Sequence, residues 1–165
     1  MHQEMSWPSD KAALYPLLRR QTEALVDACP PLSAMANVAA LLWEALPDVN
    51  WAGFYLLRGN TLYLGPFQGK TACVMIPVGR GVCGTAAETR ELQLVPDVEC
   101  FPGHIACDSA SRSEIVIPMI CNGQLLGVLD IDAPIVGRFD AQDAEGLSCV
   151  VSALMENVCW SQGLL

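Results

Sequence analysis

Two stretches of this chain double back on themselves in a two-residue apolar rhythm, and they narrow the choice of fold more than any other feature. Trp51 to Leu57 alternates, Arg58-Gly59-Asn60 turns, and Thr61 to Leu64 returns. Ile115 to Ile120 and Gln124 to Ile131 repeat the device around Cys121-Asn122-Gly123. Asn-Gly supplies the positive φ of a tight hairpin turn, and strands joined by so few residues can only run antiparallel. Between the hairpins lie a third strand, Ala72 to Val78, a short helix opened by Gly79-Arg80-Gly81 and running to Glu88, and a short strand, Leu92 to Val95. The ends of the chain follow a helical period instead. Leu14, Leu17, Leu18, Leu25 and Ala28 mark a helix over 10–29, with Pro16 at the start of its regular part and Pro30-Pro31 as its stop. Ser33 is the expected cap of a second helix through Val38, Leu41, Leu42 and Leu46. Asp140, with Asp143 three residues on, caps a last helix whose apolar face is Leu147, Val150, Val151, Leu154 and Val158.

This order predicts an α+β fold in one domain spanning 1–165. A tail occupies 1–9, two helices 10–46, the sheet and its loops 51–132, and the C-terminal helix 140–159. The sheet has about six largely antiparallel strands. The N- and C-terminal helices cover one face, and the loops at 65–71 and 96–113 cover the other. No repeat or low-complexity segment interrupts it. Hydrophobic residues make up 52% of the chain and charged ones 16%, which excludes disorder. A net charge of −9 argues against nucleic acid and anionic membrane as partners. With no signal-like core and no membrane-length apolar run, a cytoplasmic protein is expected.

Chemistry concentrates in Phe101-Pro-Gly-His-Ile-Ala-Cys-Asp-Ser-Ala-Ser-Arg-Ser-Glu-Ile-Val-Ile-Pro118, a loop that becomes a strand. Asp108, Ser109, Ser111 and Ser113 are turn and cap formers, so Cys107 sits on a small-residue loop where a thiol reaches a ligand. On local sequence alone it reads rather as a small buried hydrophobe. Eight cysteines occur in all, at 29, 73, 83, 100, 107, 121, 149 and 159. Cys29, Cys121, Cys149 and Cys159 read as packing or surface thiols. Cys73, Cys83, Cys100 and Cys107 flank glycine-bearing loops. Cys83 opens the short helix, and a helix N-terminus favours thiolate. If these thiols meet, they suit dithiol redox chemistry or metal binding. No CxxC is present, and Cys100, His104 and Cys107 offer a zinc set only at unusual spacing.

Asp130 and Asp132 project from one face of the last strand, beside Val128. Asp132 also reads as a simple turn residue before Ala133-Pro134. Asp130, inside an apolar strand, needs a partner or a ligand. Two carboxylates with no adjacent cation make a site for a ligand ammonium group. Glu114 opens the partner strand, where burial would raise its pKa and let it donate a proton. Trp51, Gly53 and Tyr55 share a face, either as core or as an apolar ligand wall edged by a hydroxyl.

Taken together, Trp51-Ala-Gly-Phe-Tyr55, Leu64-Gly-Pro-Phe-Gln-Gly-Lys70, Ala72-Cys73, Gly79-Arg-Gly-Val-Cys-Gly-Thr-Ala86, Phe101 to Ile115, Gly127-Val-Leu-Asp-Ile-Asp132 and Gly137-Arg-Phe139 resemble the free methionine-(R)-sulfoxide reductases, enzymes of the GAF-domain fold. The resemblance implies that Cys107 is the nucleophile, Cys73 the resolving cysteine and Cys83 an auxiliary redox cysteine. It implies that Glu114, Asp130 and Asp132 bind substrate, Glu114 also as proton donor, and that Trp51 and Tyr55 receive the methyl-sulfur end. It further implies a metal-free, cytoplasmic, often dimeric oxidoreductase with no bound cofactor, regenerated by thioredoxin and NADPH. Cys100 and Cys121 depart from the family pattern. The alternative is a non-catalytic GAF module that senses a small amine-bearing ligand or redox state. A zinc-stabilised binding module is a third reading.

Overall fold

The computed structural model describes residues 6–105 and 108–164. Among the described residues four α-helices and six strands follow the predicted order: α1 (Lys11–Val26), α2 (Pro31–Ala45), β1 (Trp51–Arg58), β2 (Thr61–Gly69), β3 (Met75–Pro77), α3 (Gly81–Thr89), β4 (Gln93–Val95), β5 (Ser113–Cys121), β6 (Gln124–Ala133) and α4 (Ala141–Asn157). The strands form one sheet in the order β3-β2-β1-β6-β5-β4. Every neighbouring pair is antiparallel, and β1 of the first hairpin pairs with β6 of the second at the centre.

Alternation along β1 divides the apolar residues between two cores. Ala52 and Phe54 point to the α1/α2/α4 side, where they pack with Leu18, Met35, Leu42, Leu129, Ile131, Leu147 and Leu154. Trp51 and Tyr55 point to the α3 side, with Val82, Ala86, Val116 and Val128. The helices at the chain ends therefore take one face, and α3 with the loops takes the other, as the sequence predicts.

The last helix is capped as expected. Asp140 accepts hydrogen bonds from the backbone N–H of Gln142 (2.9 Å) and Asp143 (3.1 Å), and the Asp143 carboxylate accepts one from Asp140 N–H (2.9 Å). Asp143 also accepts hydrogen bonds from Lys11 Nζ (2.7 Å) and Tyr15 Oη (2.6 Å), which ties α1 to α4.

Several expected boundaries shift. Ser33 does not cap α2; the helix starts at Pro31, with Pro30 as its cap, because a proline at the first helical position lacks only an N–H that has no partner there anyway. Pro16 lies inside α1 and does not begin it. The segment 65–69 is not a loop, since β2 continues to Gly69 opposite Trp51. A register shift between Gly53 and Tyr55 sets Gly65 and Pro66 against one residue of β1, a bulge that accommodates a proline without a donor. The third strand is only Met75–Pro77, so Ala72 and Cys73 precede the strand and are not part of it.

Candidate active site

The α3 side of the sheet carries a cleft lined by Trp51, Tyr55, Cys83, Glu114, Asp130 and Asp132, with His104 and Asp108 at its loop side. Strand register brings the acidic residues together. Glu114 lies opposite Asp132 across β5 and β6, and Asp132 and Asp130 lie opposite Trp51 and Gly53 across β6 and β1. Residues two apart on a strand share a face, so both aspartates and both aromatic rings look into the cleft. Trp51 stacks on Tyr55 (5.8 Å between ring centroids) and on Phe67 (5.2 Å). Gly53 permits this close layer, since a Cβ there would stand 2.3 Å from Phe67 Cβ. The polar ends of both rings are spent on the rim. Trp51 Nε1 donates to the Lys70 carbonyl (3.1 Å), and Tyr55 Oη donates to the Cys73 carbonyl (3.0 Å).

The charge environment is unusual. Glu114 and Asp130 are 5% and 6% exposed, and the buried Asp130 Oδ1 has no hydrogen-bond partner among the described residues. Burial raises the pKa of Glu114, Asp130 and Asp132, and their mutual repulsion adds to it. Cys83, in the first turn of α3, places Sγ 3.9 Å from Glu114 Oε1. The expectation that its helix N-terminus favours thiolate is overturned. Burial first, and then the negative field of Asp130 and Glu114, push the Cys83 thiol well up. Cys83, Glu114 and Asp130 bring one polar atom each within 4.8 Å of one another, around the space of a single cationic centre. Asp132 is not a turn residue, since β6 extends through it to Ala133.

The remaining predicted residues are placed as follows. Cys73 is half-buried in the segment before β3 and is disulfide-bonded. Cys107, the expected nucleophile, lies outside the described residues. Of the zinc set, Cys100 is exposed, His104 places Nε2 3.5 Å from Glu114 Oε2, and Cys107 lies outside the described residues. Asn50 is a site residue that the sequence reading missed. Its Nδ2 donates to Asp108 Oδ2 (3.2 Å) and Ser111 Oγ (3.1 Å), tying the central loop to the residue before β1. Asp108 in turn accepts a hydrogen bond from Ala110 N–H (2.9 Å), the Asx-type turn that its residue type suggested.

The raised carboxyl pKa values set a sign for stability. The folded chain holds protons on these groups at pH values where the unfolded chain has lost them. The unliganded protein therefore loses stability as pH rises from about 4, the ordinary carboxylate range, toward the raised values. Asp130→Asn removes one of the crowded charges. It is expected to raise the Tm at pH 8 by several degrees, at about 2–4 °C per kcal/mol for a chain of this size, and to leave it nearly unchanged at pH 4. Paired thermal melts test this, and a lower Tm at pH 8 would show that Asp130 contributes stability as an anion.

A curled antiparallel sheet with helices on one face and a ligand cleft under loops on the other defines a class, and the GAF domain family model matches residues 21–158. Within that class the chain is 53% identical, over 88% of its own length and 88% of the relative's, to the free methionine-R-sulfoxide reductase of Escherichia coli (strain K12). It is 54% identical to the Saccharomyces cerevisiae protein of the same name, over 68% of this chain and 67% of that one. The crystal structure of the Neisseria meningitidis free methionine-R-sulfoxide reductase in complex with its substrate superposes with a TM-score of 0.89, at 44% identity and covering 95% of each chain. The chain belongs to the free methionine-R-sulfoxide reductase family. Among the described residues no helix is long and apolar enough to cross a membrane.

Proposed function

We propose that this protein reduces free methionine-R-sulfoxide to methionine by cysteine chemistry. The observation that carries the reading is the convergence of Glu114, Asp130, Asp132, a stacked aromatic pair and a buried thiol in one cleft. The substrate is a small zwitterion with a polarised S=O bond. Asp130 and Asp132 hold its ammonium group, which supplies the countercharge that the buried carboxylates lack. Trp51 and Tyr55 receive the methyl-sulfur end. Peptide-bound methionine sulfoxide has no such ammonium and would leave the acids unpaired, which favours the free amino acid.

In the first step the Cys107 thiolate attacks the sulfoxide sulfur while Glu114, assisted by Asp132, protonates its oxygen. The S–O bond breaks, the hydroxyl passes to Cys107 as sulfenic acid, and methionine leaves as the reduced thioether. The upward push on the Cys83 thiol, from burial first and then from the surrounding carboxyls, argues against that thiol as the attacking group and supports Cys107. Next the Cys73 thiol condenses with the sulfenic acid, releasing water and forming a disulfide, with Cys83 as an auxiliary redox thiol. A dithiol protein of the thioredoxin class, itself reduced by NADPH, restores both thiols by exchange. The same reading makes the protein a cytoplasmic homodimer.

Methionine release from free methionine-R-sulfoxide, measured with thioredoxin, its reductase and NADPH, tests the assignment. Turnover is expected for the native chain and none for Cys107→Ser. Activity that survives in the variant would move the nucleophile to another cysteine. Ligand binding without turnover in the native chain would turn the reading to a sensor. Asp130→Asn is expected to raise KM about 10- to 100-fold, the loss of one charge-assisted contact of about 1.5–3 kcal/mol. An unchanged KM would remove Asp130 from the ammonium pocket.

A further inference from the structure

Glu114 poses a problem that its own burial creates. If it donates a proton to the sulfoxide oxygen, it must be recharged before the next turnover, yet it is 5% exposed. The groups around it come from each element that packs on the site. Cys83 faces it from α3, Asp130 and Asp132 from β6, and His104 from the loop after β4. Tyr55 of β1 has its hydroxyl engaged with the Cys73 carbonyl, and Asp108 is held by Asn50 and Ala110. Cys83 and Asp130 are buried, and Asp132, partly exposed beside Trp51, faces Glu114 across β5 and β6 as a like-charged acid that repels it.

His104 is different. Its Nε2 stands 3.5 Å from Glu114 Oε2, while its side chain remains 16% exposed. Its backbone N–H donates to the Phe101 carbonyl (3.2 Å). Among the described residues it is the basic side chain that both contacts Glu114 and reaches solvent. We propose that His104 is the relay through which Glu114 is reprotonated, a positioning residue acting on the reaction through Glu114. The proposal rests on the reading of Glu114 as the proton donor.

The step balances as a pure proton transfer. The Nε2–H of the neutral ring gives its proton to the Glu114 carboxylate as Nδ1 takes one from water or a buffer acid, and no electrons move. The ring ends neutral with the proton on the other nitrogen, and rotation or exchange with water resets it. Burial lowers the pKa of His104, so the ring starts neutral near pH 7 and is ready to pass a proton without holding one. An imidazole bridges two sites in this way because it carries a donor and an acceptor on opposite sides of one rigid ring.

Single-turnover and steady-state methionine release separate this role from a structural one. In His104→Ala and His104→Gln the first turnover starts from a Glu114 already protonated and is expected to stay within about twofold of native. Steady-state kcat is expected to fall at least tenfold, with KM little changed, and added imidazole should restore kcat in His104→Ala. The amide of His104→Gln can hold Glu114 in place but cannot relay, so a normal kcat in that variant would overturn the proposal. Equal losses in the single and repeated turnovers, not relieved by imidazole, would also overturn it and assign His104 to structure. A native chain that releases no methionine at all would withdraw the functional reading and the relay with it. A native chain that turns over, with Glu114→Gln impaired and His104→Ala normal, would sink the relay alone.

Discussion

Glu114→Gln is expected to lower kcat by about 10²- to 10⁴-fold, the range in which a positioned general acid contributes. Gln matches the shape of Glu and keeps a hydrogen-bonding amide toward Cys83 and His104, but it has no acidic proton for a departing oxygen. The sulfoxide oxygen is a poor leaving group until it is protonated, so the loss falls on the chemical step. Burial and the neighbouring Asp132 charge push the Glu114 carboxyl well above its ordinary range, which favours the protonated acid that this step needs. The variant is also expected to be slightly more stable than native above pH 7, because one of the crowded acids is gone. Such a protein would be well folded and nearly inactive, a combination that a merely structural role does not produce. A loss smaller than tenfold would falsify the assignment of Glu114 as the proton donor.

Gly146→Ala gives the largest expected effect on stability, far from the cleft. Gly146 lies on α4 where α1 packs against it, and a Cβ there would stand 2.0 Å from Tyr15 Cγ and 2.3 and 2.4 Å from the two Cδ atoms. Tyr15 is 6% exposed, and its hydroxyl donates to Asp143 at 2.6 Å. Asp143 is itself held by Lys11 and the Asp140 capping box. The ring therefore has no easy retreat. Alanine gains about 1 kcal/mol over glycine in a helix, but overpacking a tight site costs about 1–3 kcal/mol or more. With three ring atoms inside contact distance, the high end applies. The expected net loss is about 2 kcal/mol or more, read as a lower urea midpoint at unchanged slope. Tyr15→Leu in the same background should recover part of it by opening the contact. KM should stay native, because α1 and α4 cover the face of the sheet opposite the cleft. A neutral or stabilising result for Gly146→Ala would mean that the two helices slide apart freely, and that the Tyr15–Asp143 bond does not hold them.

The relation of sequence to structure differs between elements. Hairpin turns, the cap of the last helix and the alternation of Trp51, Gly53 and Tyr55 act through neighbours within a few residues, so they were readable from the chain. The Asp140–Asp143 box is a local bond between two backbone amides and two carboxylates, and it formed as predicted. Element ends were less legible. Whether β2 stops at Leu64 or runs to Gly69 depends on the length of β1 beside it, and Ala72 and Cys73 are excluded from the sheet because β3 is a short edge with a single partner.

The residue types of the site were also visible in advance. A carboxylate inside an apolar strand, as at Asp130, signals a ligand or partner wherever it occurs, since a bare buried charge is too costly to keep otherwise. The electrostatics were not visible. The helix N-terminus at Cys83 favours a thiolate, but burial first, and then the three carboxyls that the sheet register brings from β5 and β6, outweigh it. Likewise His104 and Asn50 are ordinary polar loop residues in the sequence. By itself the sequence determined the strands, their antiparallel pairing, the two apolar faces and the acidic and aromatic residues, all of which follow from local periodicity. The tertiary structure alone decided which groups share protons and which bonds close the loop, because charge interactions depend on distances between segments far apart in the chain.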